Sequence, residues 1–392
     1  MIELQFDMYQ SAAIGAIVLV FGGYLINKIP TLRKFCIPAA VVGGLIFSLA
    51  MLILHSGNVA EITFDETIKD ICMRVFFCSV GFMASFKMLK SGGRILVVMV
   101  ILALMMVVMQ DVIGIVSVST FGMDPKYGLA LGSISLTGGH GTAAAYGQVL
   151  VEDYGLVGGD VVAIAAATFG LAIAGMLGGP LGRRLVKKHN LVSEGEIDEK
   201  EEMKERIISP HEFLVAFLLL VICMGLGTLI NDALSMVGIA LPTYLGALIV
   251  AIIVRNVADV LGFTLPNKEI ETIGWVCLSL FLSMALMSIK LWQLADLAAV
   301  MVITLLIQTV ALSIFAYHLV FRFTGANFDS AALVSGTMGF GMGATPNAVA
   351  NVEAMISENG PAPVAYFIVP LIGGVFMDLI NVSVLTVLLN VL

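Results

Sequence analysis

Two short runs carry the residue types that bind small polar solutes, Gly138-Gly139-His140-Gly141-Thr142 and Gly341-Met342-Gly343-Ala344-Thr345-Pro346-Asn347. Each interrupts a strongly apolar stretch with glycines and hydroxyl groups, and they lie about half a chain apart. A break in an apolar helix frees backbone N–H groups at the start of the next helix. Those groups carry about half a positive charge and can hold a carboxylate without an arginine. Glycine lets the backbone come close to the ligand. Hydroxyls and freed carbonyls suit Na⁺ and substrate oxygens alike. On these grounds Thr137, Gly138, Gly139, His140, Gly141 and Thr142 are candidate substrate contacts at the first run. Gly341, Gly343, Ala344, Thr345 and Asn347 are their counterparts at the second, with Ser135 and Thr337 as candidate sodium ligands. Glycine-mediated close packing of helices is the competing reading. Two such clusters at matched positions, each beside hydroxyls, favour a site.

Ionisable groups inside apolar spans are rare and costly, so each is a site candidate by default. Asp378 lies within the last span, with Asn381 three residues on and on the same helical face. That pair could take a substrate ammonium or a coupling cation. Asp111, beside Gln110, either sits near the site, as a further candidate sodium ligand, or pairs with a basic group in another span. Gln110 and Gln308 read as hydrogen-bond glue between helices. His140 either donates to a substrate carboxylate or satisfies a backbone carbonyl.

The elements that must position these residues are membrane helices. Hydrophobic residues make up 59% of the chain and charged residues 12%, against about 45–50% and 25% in soluble domains. Mean hydropathy is +1.03. Apolar runs long enough for a ~30 Å hydrocarbon core recur throughout. The expected fold is an all-α polytopic membrane protein. Five spans near 11–28, 36–54, 72–87, 94–118 and 161–182 form the N-terminal repeat, residues 1–182, which also holds a glycine-broken hairpin at 128–151. Five more near 213–231, 242–262, 273–289, 297–320 and 364–388 form the C-terminal repeat, residues 213–392, with a hairpin at 330–351. The linker 183–212 is cytoplasmic in this reading, and seven of its carboxylates fall between Glu194 and Glu205. Both hairpins are read as re-entrant, entering and leaving the membrane on one side.

Basic residues support that layout. With both termini outside, 16 of the 20 Lys and Arg fall on the cytoplasmic side, leaving Lys69, Arg74, Lys126 and Lys290 outside, as the positive-inside rule expects. Counting either hairpin as a full span would destroy the bias. Five spans per half is an odd number, so the two halves become inverted-topology repeats. Matched features include Pro38 with Pro242, Lys87 with Lys290 and Gln110 with Gln308. The third spans are both expected to be short. The five cysteines (Cys36, Cys72, Cys78, Cys223, Cys277) show no CxxC spacing and read as small hydrophobes, neither disulfides nor transition-metal ligands. No nucleic-acid footprint is present. The N-terminus lacks the basic n-region of a cleavable signal.

At this level of detail the chain resembles the glutamate:sodium symporters of bacteria. The resemblance rests on Ser133–Thr142, Gly339–Asn347, Ala167-Thr-Phe-Gly170, Ser279–Met287 with Lys290-Leu-Trp292, and Asp378-Leu-Ile-Asn381. It runs from about residue 10 to the end. It implies Na⁺-coupled symport of L-glutamate across the bacterial cytoplasmic membrane, Na⁺ as the coupling ion with no other cofactor, a homodimer, and an elevator-type motion of a transport core on a scaffold. One position departs from the family's pattern, where an amide usually follows Gln110 and this chain has Asp111. A carrier of another dicarboxylate or hydroxy acid on a similar fold is the nearest alternative, although it would not need Asp378 for an ammonium group. A channel is a further alternative. An enzyme is not expected: no His-Glu-x-x-His occurs, and His140 has no nucleophile and orienting acid beside it.

Overall fold

The computed structural model describes residues 2–29, 32, 38–85, 93–193, 208–236, 244–293 and 297–392. It is almost wholly helical. Helices α1 (Met8–Lys28), α2 (Ala39–Ser56), α3 (Thr67–Met83) and α4 (Gly93–Thr120) come first. Short α5 (Lys126–Ala130) and α6 (Gly139–Glu152) follow, then α7 (Gly159–His189). The second half runs α8 (Pro210–Met236), α9 (Leu245–Leu261), α10 (Asn267–Met287) and α11 (Ala298–Phe315), the last extended by a π turn at Ala316–Val320. Helices α12 (Phe328–Met342), α13 (Thr345–Asn359), α14 (Pro363–Leu371) and α15 (Met377–Val391) complete the chain. The expectation of an all-α fold needs one small amendment. Ile2–Phe6 pairs in parallel with Ala60–Phe64 as a two-stranded sheet, and Phe6 stacks on Phe64 at 5.8 Å.

Among the described residues, eight helices are long and apolar enough to cross a membrane. The other two expected spans appear as α3 and α9, of 17 residues each. At 1.5 Å per residue that is about 26 Å, a few ångströms under the hydrocarbon thickness. The expectation of two short third spans holds for α3 only. Helix α10 has 21 residues and starts at Asn267, because the charges of Lys268, Glu269 and Glu271 sit inside its first turns and hide its start from a hydropathy reading. Lys87, Lys90, Arg33, Lys34, Cys36 and the acidic run of the linker lie outside the described residues.

The chain forms two compact units, and each draws on both halves of the sequence. The first holds α1–α3 and α8–α10; the second holds α4–α7 and α11–α15. The division into residues 1–182 and 213–392 is thus one of sequence, and the packing cuts across it.

In the first unit, small residues bring helices into backbone contact. A methyl group on Gly22 would lie 2.0 Å from the Ala39 carbonyl oxygen, and one on Gly43 2.1 Å from that of Val18, so α1 and α2 touch backbone to backbone. This is how membrane helices associate when apolar burial offers no net gain over lipid. Ser283 donates to the Gly15 carbonyl at 2.7 Å, tying α10 to α1.

Candidate functional site

Every candidate site residue lies in the second unit. Its central beam is α7, whose small residues receive the partner segments. Gly147 of α6 fits against Asp160, while Gly170, Gly178 and Gly182 lie against the Met342 carbonyl, Asn351 and Met355. One helix therefore carries both glycine-rich segments.

The second segment is a regular helical hairpin. Helix α12 starts at Asn327, whose side chain accepts from Ser330 N at 2.9 Å. It ends at Gly343–Ala344, where the backbone becomes extended, and α13 restarts at Thr345 with Pro346 in its first turn. Pro346 is suited to that place, since its missing N–H would have no partner there. The two arms run antiparallel: Gly339 packs on Ala348, Gly336 on Val352, and Ser335 Oγ donates to the Asn351 carbonyl at 3.3 Å. Asn351 Nδ2 donates to Ala174 O at 3.1 Å and Ser335 O at 3.3 Å, and Asn347 Nδ2 to Leu171 O at 3.1 Å.

The first segment is less regular. After α5, residues 131–138 form a chain of turns rather than a helix, with bonds such as Ile134 N to Leu129 O and Gly138 N to Ser133 O. Side chains from neighbouring helices hold it. Asp111, fully buried on α4, accepts from Ser133 N at 2.8 Å through Oδ1 and from Ser133 Oγ at 2.9 Å through Oδ2. Its carboxylate is thus engaged with the turn, and no basic partner is found among the described residues. Ser135 Oγ donates to the Ala130 carbonyl. Helix α6 then begins at Gly139, whose φ of +59° is a left-handed conformation that glycine adopts without cost.

The two breaks meet. A methyl at Gly139 would come within 2.9 Å of the Gly343 carbonyl oxygen. Gln110 joins the segments on either side of them. Its Oε1 accepts from Thr137 Oγ1 and its Nε2 donates to the Gly341 carbonyl, both at 2.6 Å. Gln308 of α11 donates from Nε2 to Gln110 O at 2.6 Å and to Leu131 O at 3.3 Å. The two glutamines act as the expected glue, and Gln110 also couples the two segments directly.

Helix α15 supplies the third side. A π turn at Ile372–Phe376 separates it from α14 and brings Gly373 against Thr345, whose Oγ1 would be 3.0 Å from a methyl there. Such turns are frequent at functional sites. Asn381 Nδ2 donates to Ser133 O at 3.1 Å and lies 2.7 Å from a methyl position at Gly138. Asp378 is one turn from each of these contacts, between Gly374 and Asn381 on the same face. Its side chain is half-buried and has no hydrogen-bond or ion-pair partner among the described residues. Asn381 Oδ1 is buried without a partner as well. The segment that carries the unpaired Asp378 carboxylate and Asn381 Oδ1 therefore touches the starts of both α6, through Asn381 at Gly138, and α13, through Gly373 at Thr345. Together they offer a set for one carboxylate and one or more cations.

The other candidates fall around this centre. Thr142 is buried in the first turn of α6. Thr337 lies in the interior of α12, where its hydroxyl donates to the Leu333 carbonyl at 2.8 Å. His140 Nε2 is 3.0 Å from Thr168 Oγ1, and that hydroxyl gives its own proton to Ile164 O at 2.9 Å. The histidine must therefore be the donor to Thr168, which fixes its proton on Nε2 in the neutral ring. Ser133, Thr168 and Asn351 were not among the sequence candidates. The Thr-Phe-Gly run around residue 168 and the asparagine one turn after Asn347 were the available signals. No group of three or more metal-binding side chains is found among the described residues.

Comparison with known proteins supplies the family. The family model described as sodium/glutamate symporter matches residues 4–361. The "Sodium/glutamate symporter" of Escherichia coli strain K12 is 37% identical over 387 residues, covering 97% of this chain and 96% of that protein. The protein of the same name from Haemophilus influenzae is 37% identical over 391 residues, covering 97% of each. The family model stops short of Asp378 and Asn381, but by the extent of these matches the chain belongs to the sodium/glutamate symporter family.

Proposed function

We propose that this protein is a secondary transporter that carries L-glutamate into the bacterial cell with Na⁺ by alternating access, and that it is not an enzyme. The observation that carries the reading is the unpaired Asp378 carboxylate and Asn381 Oδ1 on a segment that touches the starts of α6 and α13. The N–H groups of α6 and α13, with Thr142 and Thr345, hold the substrate carboxylates. Asp378 takes the ammonium group. Na⁺ fills oxygen sites that hydroxyls, carbonyls and Asn381 offer, and offsets the negative charge that glutamate brings beside Asp378. An empty or half-loaded site keeps unpaired charge in a poorly solvated place, which disfavours its movement.

The second unit holds all of these residues, which makes it the natural transport core, with the first unit as scaffold of an elevator-type motion. Each half runs through four long helices, a glycine-broken segment and a final membrane-length segment, and 16 of the 20 basic residues fall on one side when both broken segments are re-entrant hairpins. These two facts support inverted repeats, an inner-membrane location and termini on the outer side. A homodimer is proposed from the family resemblance. The test is uptake of labelled glutamate into proteoliposomes with and without an inward Na⁺ gradient. Accumulation that follows the gradient supports the reading; uptake indifferent to Na⁺ overturns it. Competition by amino acids and by dicarboxylates without an ammonium group then tests the role of Asp378.

A further inference from the structure

A group of basic residues gathers where two helices of the second unit end. Helix α7 closes on Arg183-Arg184-Leu-Val-Lys187-Lys188-His189, and α11 runs on through its π turn to His318 and Arg322. The two ends lie side by side. Lys188 Nζ is 5.4 Å from the centre of the Tyr317 ring, and the His189 and Phe321 rings are 5.2 Å apart. Arg184, Lys187, Lys188, His318 and Arg322 are all exposed. Among the described residues, Arg184, Lys187, Lys188 and Arg322 have no carboxylate partner, whereas Arg183 is already engaged. Asp329, the acid nearest to Arg322 in sequence, turns its carboxylate to Ala365 N at 3.0 Å. Like charges gathered without a counter-charge repel one another, and an anion relieves that repulsion.

The surface that leads to these cations is apolar. On α11 the exposed residues Ile303, Leu306, Ile307, Val310 and Ile314 recur every one to four positions and form one stripe along the helix. From Ile303 to Ile314 the helix rises about 17 Å at 1.5 Å per residue, close to half of a ~30 Å hydrocarbon core. His318 and Arg322 come one and two turns beyond the stripe, where lipid headgroups begin. On α7, exposed Met176 and Pro180 lead in the same way to Arg184. Half-buried Tyr317 and exposed Phe323 supply aromatic rings of the kind that settle at a membrane–water boundary. We propose that an anionic phospholipid binds here, with an acyl chain along Ile303–Ile314 and its phosphate held by Arg184, Lys188 and Arg322. Cations between membrane helices are a recognised way to hold acidic headgroups. A soluble anion or an acidic peptide would use the cations and leave the stripe unused, so the apolar track favours a lipid. The proposal rests on α7 and α11 being membrane spans and is independent of the transported solute.

The full-length protein is reconstituted in phosphatidylcholine vesicles that contain a trace of one photoactivatable lipid. The two probes are phosphatidylglycerol and phosphatidylcholine carrying the same diazirine-bearing acyl chain, and labelled peptides are mapped by mass spectrometry. The phosphatidylglycerol probe should label Ile303–Ile314 about tenfold or more heavily than the phosphatidylcholine probe. Exposed Leu226 and Leu229 of α8, with Asp232 close behind them in sequence, serve as the reference surface and should show no such preference. Replacing Arg184, Lys188 and Arg322 together by Gln should bring the phosphatidylglycerol label on α11 down to the phosphatidylcholine level. Equal labelling of the stripe by the two probes in the wild type overturns the proposal, and is the result to expect if an acidic protein segment covers the cations instead. A preference of the same size at Leu226 and Leu229, or one that the triple variant keeps, overturns it as well. The wild-type comparison of the two probes decides the matter even if the variant fails to fold.

Discussion

The two glycine-rich segments reach the same place by different means. The second is a hairpin of two 15-residue helices that hold each other, with antiparallel contacts from Ser335 to Asn351 and Gly339 to Ala348. The first has one regular arm, α6, and an irregular one whose turns are fixed from outside by Asp111, Gln308 and Asn381. One break is held first by its own two regular arms, with added bonds to α7 and Gln110, and the other chiefly by its neighbours. The difference teaches where each is vulnerable. Damage to the first should come from residues on α4, α11 and α15, and damage to the second from its own sequence.

In the proposed mechanism Asp378 serves both breaks at once, so its loss should erase the comparison altogether. Asp378→Asn keeps the shape and removes the charge. A hydrogen bond to a charged group contributes about 1.5–3 kcal/mol, and each 1.4 kcal/mol is tenfold in affinity. Na⁺-driven glutamate uptake should fall by about 10- to 100-fold or more, with the folded yield in detergent unchanged. Unaltered uptake kinetics would remove Asp378 from the site.

Gly139→Ala attacks the first break alone. The left-handed backbone costs a non-glycine residue roughly 1–2 kcal/mol, and the new methyl also presses on the Gly343 carbonyl at 2.9 Å. Transport should drop by about tenfold or more. Gly374→Ala, whose methyl would meet only Thr345 Cγ2 at 3.9 Å, is the control and should transport normally. Equal losses in the two variants would show that steric closeness at the breaks does not limit function.

Much of this arrangement was legible in the sequence. The glycine runs marked both breaks, and Asp378 with Asn381 announced itself as polar in an apolar span. Gln110 and Gln308 were recognisable as interhelical donors, although not that Gln110 would join Thr137 to Gly341. What could not be read depends on long-range pairing. Asp111 could equally have met a basic group, because its partner Ser133 is 22 positions away and no local pattern links them. The grouping of α4–α7 with α11–α15 follows from packing between distant helices. The π turn before Asp378 leaves only the weak trace of Gly373-Gly374 and Pro370. The strand Ile2–Phe6 pairs with a partner nearly 60 residues on, beyond the reach of periodicity.

A finer cut compares the supports themselves, Asp111→Ala for the first segment and Asn351→Ala for the second. Asp111→Ala leaves Ser133 N–H buried with its acceptor gone, at a cost of about 1–3 kcal/mol. Asn351→Ala takes away two weaker bonds, to Ala174 O and Ser335 O, but those carbonyls lie inside helices where backbone donors already serve them. Its cost should lie nearer 1 kcal/mol. Thermal unfolding in detergent should rank the two in that order, and Asp111→Asn should fall below both, since an amide oxygen can still accept from Ser133 N. Should Asn351→Ala prove the more damaging, the second hairpin would depend on its neighbour α7 as much as the first depends on α4, and the contrast between a break held first by its own arms and one held chiefly by its neighbours would fail.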